Sequence, residues 1–466
     1  MYELITWKTE AMTKIDSILN SRFRHQVLAT LTVCVLTFSH GIGLGWLSPT
    51  LSKLQSDTTP LNFPVSVEDA SWIGSLLGLG SLCGNIVIGF LQNKIGRKAC
   101  IYLLAPPHMG LWILIYFATD VEFLMIARFL GGFTGGGCYV VFPLFISEIA
   151  DTNIRGTLAT MLMLSVNIGI LIGFIISTYV AYYIIPFCIL TLPVLYLVLA
   201  CVLPETTQHL LQKKKYADAE KSFFFYQMSN SKPSLSDRQN FENLKSIIEN
   251  RNDEGSLSYK DFVTRDALKC FATTAVLLFV NQFSGIFAFV NYMSDIFLNS
   301  GSTMDPNTCT IIMGVAQIAG TYAATLLVDL FGRKILMLWS IGGMAVGLTA
   351  FGVFTFYAQT MDLSQYSYVP LLLMAFVSFV GNMGLIALTL VVLVEIFPAK
   401  IRPICASVSM ATLSFLVFAM LKIFPLYMES FGISVTMWSC ALVCAISYVY
   451  LFIFLKETKG KSMDAD

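Results

Sequence analysis

Hydrophobic stretches of about 18 to 28 residues alternate with short polar breaks along nearly the whole chain. They fall at roughly 27–47, 70–91, 100–118, 122–146, 158–178, 180–202, 267–298, 305–328, 335–357, 366–394, 404–427 and 434–455. Each is long enough to cross about 30 Å of hydrocarbon as a helix. A backbone in lipid must satisfy its own hydrogen bonds, so the pattern predicts an all-α membrane protein with twelve transmembrane helices. The longest polar interval, 203–266, divides them six and six. The expected layout is an N-terminal tail (1–26), a first half (27–202), a polar linker (203–266), a second half (267–455) and a C-terminal tail (456–466). Within the linker, 208–229 and 236–251 have the spacing of amphipathic helices lying under the membrane domain, which makes the interval a hinge rather than a separate domain.

The halves are duplicates. Gly96, Arg97 and Lys98 recur as Gly332, Arg333 and Lys334, 236 residues later. Glu148 with Arg155 recurs as Glu395 with Arg402, offset by 247, and Glu205-Thr206 as Glu457-Thr458, offset by 252. Two repeated membrane halves around a midplane cleft are the architecture of secondary transporters.

Charge adds orientation. Charged residues are 12% of the chain and hydrophobic ones 56%, with 29 basic residues balancing 29 acidic ones. The balance gives no reason to expect a nucleic-acid partner. The basic residues, among them Lys94, Arg97, Lys98, Arg155, Arg333, Lys334, Lys400 and Arg402, fall on one side of the twelve-span pattern, which predicts that side and both termini to be cytoplasmic. Eleven cysteines are mostly scattered through apolar segments without metal-binding spacing, as small packing residues are. No Walker loop, H-E-x-x-H or metal cluster occurs in the sequence, so neither covalent chemistry nor a cofactor is expected, and no obligate protein partner is implied.

Two sets of residues carry candidate function. Arg97, Glu148 and Arg155 stand at the basic helix ends of the first half, and Asp329, Arg333, Glu395 and Arg402 at those of the second. Ion pairs there, near the interface between halves, are expected to act as a latch that exchanges for water when the halves part; the alternative is a set of anchors reaching the headgroups. The second set is uncharged. Asn167, Asn281, Gln282, Asn291, Tyr292, Gln317 and Asn382 lie within apolar spans, where an unpaired amide costs several kcal/mol, so they are expected to line an interior. Amides offer the donors and acceptors that vicinal hydroxyls require. Asn281 and Gln282 point about 100° apart on a helix, and Gln282 is expected to face the cavity. His40 is the sole titratable group in the 27–47 run, read as a packed histidine or as a proton carrier.

The segment from Leu130 to Arg155, with L-G-G-F-T-G-G, F-I-S-E and a final arginine, resembles the fourth-helix signature of the sugar porters in the major facilitator superfamily. The stretches from Gly89, Asn281, Val394 and Lys456 resemble further motifs of that family, covering almost the whole chain. G-W-L-S-P from Gly45 and N-I-G-I-L from Asn167 resemble the insect facilitated trehalose transporters. The resemblance implies a plasma-membrane, multi-pass carrier of a small neutral sugar working by alternating access. It also implies that Gln282, Asn281, Gln317 and Asn382 fall where sugar porters contact their ligand. The chain departs from the family at Asn93, where an aspartate is usual, which predicts a weaker latch in the first half. It also departs at Met163, Phe287 and Leu390, where two amides and a tryptophan are usual, so glucose-like binding is not assured. A hexose facilitator, a proton-coupled symporter and a non-transporting receptor stay open as alternatives.

Overall fold

The computed structural model describes residues 23–56, 59–151, 153–227, 235–251, 262, 264–398 and 401–457. The first half contains six spans: Arg24–Leu54, Val67–Ile95, Arg97–Tyr116, Val121–Ile149, Arg155–Tyr179 and Ile184–Cys201. The second half contains Ala267–Leu298, Pro306–Phe331, Arg333–Ala358, Val369–Ile396 and a continuous helical stretch, Arg402–Phe454. At 53 residues that last stretch is about 80 Å long, far more than one crossing needs. Gly432, at φ 78° and ψ 164°, breaks it into the eleventh and twelfth spans. Among the described residues the structure is therefore all-α with twelve crossings.

Four predicted elements differ in detail. The first span runs through Pro49 to Leu54 instead of ending near 47, because Lys53 Nζ ties its last turn to the end of the fifth span, donating to Ser177 O (2.6 Å) and Thr178 O (3.0 Å). The seventh span breaks at Ser284-Gly285, where Gly285 has φ 85°. The tenth contains a π-turn over Asn382–Ile386. In the linker, the first expected helix is two, Thr207–Gln212 and Tyr216–Gln227, parted at three consecutive lysines with Lys214 at φ 58°. The second of these docks on the first half: the His25 ring stacks on Phe225 at 4.5 Å, and Gln26 donates to Tyr226 O (3.0 Å).

The duplication read from the motifs reappears as duplicated geometry. Gly96 and Gly332 both have positive φ (100° and 85°), starting the third and ninth spans at a sharp corner. A Cβ at either position would run into the carboxylate of Glu205 or Glu457. Those carboxylates take the free N–H groups of the helix starts, where negative charge is favoured. Glu205 accepts from Arg97 N (3.0 Å) and Lys98 N (3.1 Å), Glu457 from Arg333 N (2.9 Å) and Lys334 N (3.0 Å). Arg155 and Arg402 each reach back five residues, to Ala150 O and Phe397 O.

Candidate functional site: a cleft between two halves

The site begins with the two interrupted spans. The positive φ of Gly285 ends the inner part of the seventh span one turn after Asn281 and Gln282. The π-turn of the tenth span begins at Asn382. Broken helices of this kind are tolerated at membrane depth where they are buried in protein or line a cavity. Asn281 Nδ2 donates to Leu385 O (3.3 Å), within the π-turn, and to Thr389 Oγ1 (3.2 Å), just past it, fastening the seventh span to the tenth. Its Oδ1 accepts from Gln282 Nε2 at 2.7 Å. Gln282 Oε1 is buried with no hydrogen-bond partner. Gln317 is 3% exposed, and its side chain makes no hydrogen bond to the described residues. Gly320, three residues on, packs against Phe379 O and the side chain of Asn382, bringing the eighth span to the tenth. Asn382 Nδ2 donates to its own helix at Ser378 O (2.9 Å). The second half thus gathers four buried amides, three of them, Gln282, Gln317 and Asn382, with unused hydrogen-bonding capacity.

Asn167, Asn291 and Tyr292 are placed differently: they join the halves. Asn167 Nδ2 crosses from the fifth span to Thr321 Oγ1 in the eighth (2.9 Å). Asn291 Oδ1 accepts from Arg128 of the fourth span (3.1 Å), while its Nδ2 donates to Phe287 O. The Tyr292 ring fills the space over Gly74 of the second span, and its hydroxyl donates to Leu421 O (2.9 Å). Arg128 is 1% exposed and donates also to Gly43 O and Ile73 O, so among the described residues a fully buried guanidinium is held by neutral acceptors alone.

Further contacts between the halves were passed over in the sequence. Ser48 and Ser294 exchange hydrogen bonds, Asn85 donates to Ser414 Oγ (2.7 Å), and Lys422 reaches Ser71 (2.8 Å) with its ammonium over the Trp72 ring. Asn85 and Lys422 were visible as polar interruptions of apolar runs. Together these contacts seal the cleft from mid-depth to the side opposite the basic helix ends, with Trp46, Tyr292, Phe289 and Phe297 fully buried there.

At the basic ends the expected latch takes another form. Arg97 pairs with Glu148 at 2.6 Å and Arg333 with Glu395 at 3.4 Å, each pair lying within one half and not between halves. Each joins the start of one span to the end of the next, the third to the fourth and the ninth to the tenth, so its geometry braces a half. The first-half pair, expected to be weaker because of Asn93, is the shorter and the drier. Its side chains are 5% and 2% exposed, against 21% and 14% in the second half. The reason is a cage absent from the motif reading: Arg97 also donates to Gln92 O (3.1 Å) and meets His209 Nδ1 (3.2 Å). Burial, then the positive charge of Arg97, draws the His209 pKa below its usual value against the pull of Glu205, which favours the neutral ring as acceptor. The side chain of Asp329 lies outside the described residues, as do Lys400 and Thr458.

Residues 26–465 match the family described as "Sugar (and other) transporter". The chain belongs to this sugar transporter family. It is 33% identical to a facilitated trehalose transporter of Culex quinquefasciatus over 447 residues, 94% of this chain and 84% of that one. It is 32% identical to one from Polypedilum vanderplanki over 444 residues, covering 94% and 86%. Its fold is similar to that of the xylose transporter of E. coli. The partially occluded inward-open form matches with a TM-score of 0.76 at 20% identity, covering 94% of this chain and all of that one, and the inward-open form with 0.74 at 22%. The protein is thus a multi-pass membrane transporter of the major facilitator fold, and its relatives are carriers rather than enzymes.

Proposed function

We propose that this carrier moves trehalose, down its gradient and without a coupled proton, across the plasma membrane with both termini in the cytoplasm. The observation that carries the choice of sugar is the run of relatives named as facilitated trehalose transporters, matched over 94% of this chain. Three features support the reading. Gln282, Asn281, Gln317 and Asn382 form the sugar-binding face of the second half, with Gln282 Oε1 and the Gln317 amide free to meet hydroxyls. Asn167, Asn291 and Tyr292 close over the sugar as the halves meet. Arg128 finds neutral acceptors where a proton relay calls for a titrating carboxylate, which favours uniport. The basic helix ends face the cytoplasm by the excess of lysine and arginine there. Arg97, Glu148, Arg155, Asp329, Arg333, Glu395 and Arg402 form the gating end, its within-half pairs keeping each half rigid while the halves rock.

Counterflow in proteoliposomes tests this. Vesicles loaded with unlabelled trehalose should draw in labelled trehalose, with excess glucose a weak competitor and an imposed pH gradient without effect. Glucose exchange without trehalose exchange would overturn the choice of sugar, and uphill uptake abolished by a protonophore would overturn uniport.

A further inference from the structure

The Arg97–Glu148 and Arg333–Glu395 pairs each stay within one half. At the opposite side, outer in the orientation proposed above, a positive charge crosses the cleft. Lys422 of the eleventh span donates from Nζ to Ser71 Oγ of the second span (2.8 Å) and lies over the Trp72 ring, 3.9 Å from its centroid. Both partners belong to the first half. Among the described residues the ammonium has no hydrogen bond or ion pair within its own half. Glu68 and Asp69, in the first turn of the second span, add opposite charge nearby.

Helix register puts this lysine at the outer end of a contact stripe. Ser414, Phe418 and Lys422 recur every four residues and so share one face of the eleventh span. Ser414 Oγ meets Asn85 (2.7 Å) and Ser81 (3.1 Å), the Phe418 backbone lies where a Cβ on Gly78 would stand, and Lys422 takes Ser71. Neutral groups of the stripe exchange these partners for water at little net difference. The lysine gains more, because a cation over an indole face is attracted by the ring quadrupole, most strongly where it is withdrawn from water. Lys422 is half-buried. Parting the halves at the outer side returns its ammonium to water and leaves Ser71 and Trp72 behind. A contact made in one state alone shifts the population toward that state.

We propose that Lys422 is the outer latch of this carrier. It holds the empty protein toward the state seen here, closed at the outer side, and so sets how often the site is presented to external sugar. The inference rests on the carrier reading above and not on which sugar is carried.

The test reads the full-length chain in intact cells without sugar. A Ser75→Cys thiol is the reporter, since Ser75 is wholly buried and stands one turn from Ser71, on the face turned to the eleventh span. A membrane-impermeant maleimide reaches it from outside only when the outer side opens, so its labelling rate, read site by site by mass spectrometry, follows the open fraction. Lys422→Met should raise that rate about 3- to 30-fold, as loss of a cation–π contact does, while Lys422→Arg, which keeps the charge, should stay near the parent rate. Trp72→Leu removes the aromatic face without touching the lysine and should raise the rate too, even if Lys422→Met folds poorly. The two changes together should add little to either alone. Unchanged labelling in Lys422→Met and Trp72→Leu would overturn the proposal. So would labelling that rises equally at native Cys138, buried inside the first half, since a loosened fold exposes both thiols and an unlatched one only the reporter. Absence of exchange for every sugar in proteoliposomes would instead overturn the carrier reading, and the latch with it.

Discussion

Replacing Gln282 by alanine separates a binding role from a structural one, because the two make opposite demands on the empty protein. In the structure Gln282 Oε1 is buried without a donor, while Nε2 donates to Asn281 Oδ1 at 2.7 Å. An unsatisfied buried acceptor costs about 1 to 3 kcal/mol. Gln282→Ala removes that cost but leaves Asn281 Oδ1 without its donor, so the two changes nearly offset and the empty carrier should melt within a few degrees of wild type. Sugar binding has no such compensation. Losing the acceptor that a hydroxyl would satisfy costs about 1 to 2 kcal/mol, a rise in half-saturation of roughly 5- to 30-fold. Asn281→Ala should differ, since its Nδ2 bonds to Leu385 O and Thr389 Oγ1 hold the seventh span to the tenth; it should lower the melting temperature as well as transport. Counterflow at varied trehalose gives the half-saturation, and thermal melts with and without sugar give stability and binding together. Unchanged half-saturation and undiminished stabilisation by sugar in Gln282→Ala would refute this placement of the site.

Two further outcomes concern the basic ends. Glu148→Gln, leaving the Arg97 guanidinium buried without its counter-charge, should destabilise the protein by about 3 kcal/mol, and Glu395→Gln, at a wetter and longer pair, by clearly less; comparative thermal melts check the order. With the folded-state pKa of His209 depressed, the unfolded chain takes up that proton first, so stability should decline as pH falls through about 6.5 and stop declining below the folded value; His209→Phe should flatten that part of the melting-temperature profile.

The sequence made the spans and the duplication legible because hydrocarbon imposes a length on every crossing and because motif offsets survive in one dimension. It placed Arg97 and Glu148 at the same end of the same half. It could not show that they pair there and not across the cleft, since that depends on how the second, third and fourth spans are arranged around each other. Glu205 was legible only as a repeat marker; its work, capping the third span from more than a hundred residues away, exists only in three dimensions. The amides of the seventh and tenth spans were found as polar groups in lipid. The breaks beside them, at Gly285 and in the Asn382 π-turn, were not found, because hydropathy averages over both. That Arg128 donates to Gly43 O, Ile73 O and Asn291 Oδ1 was not legible either, since it depends on how the first, second, fourth and seventh spans meet.

The seal opposite the basic ends is assembled mostly from hydroxyls and amides: Ser48 with Ser294, Asn85 with Ser414, Asn167 with Thr321. Each such bond contributes a net 0.5 to 1.5 kcal/mol or so. A carrier that consumes no fuel must travel back unloaded after every delivery, and heat alone has to reopen what closed. Contacts this shallow leave neither orientation a trap, so the unloaded return leg stays within thermal reach, and the direction of net flow is left to the sugar concentrations on the two sides.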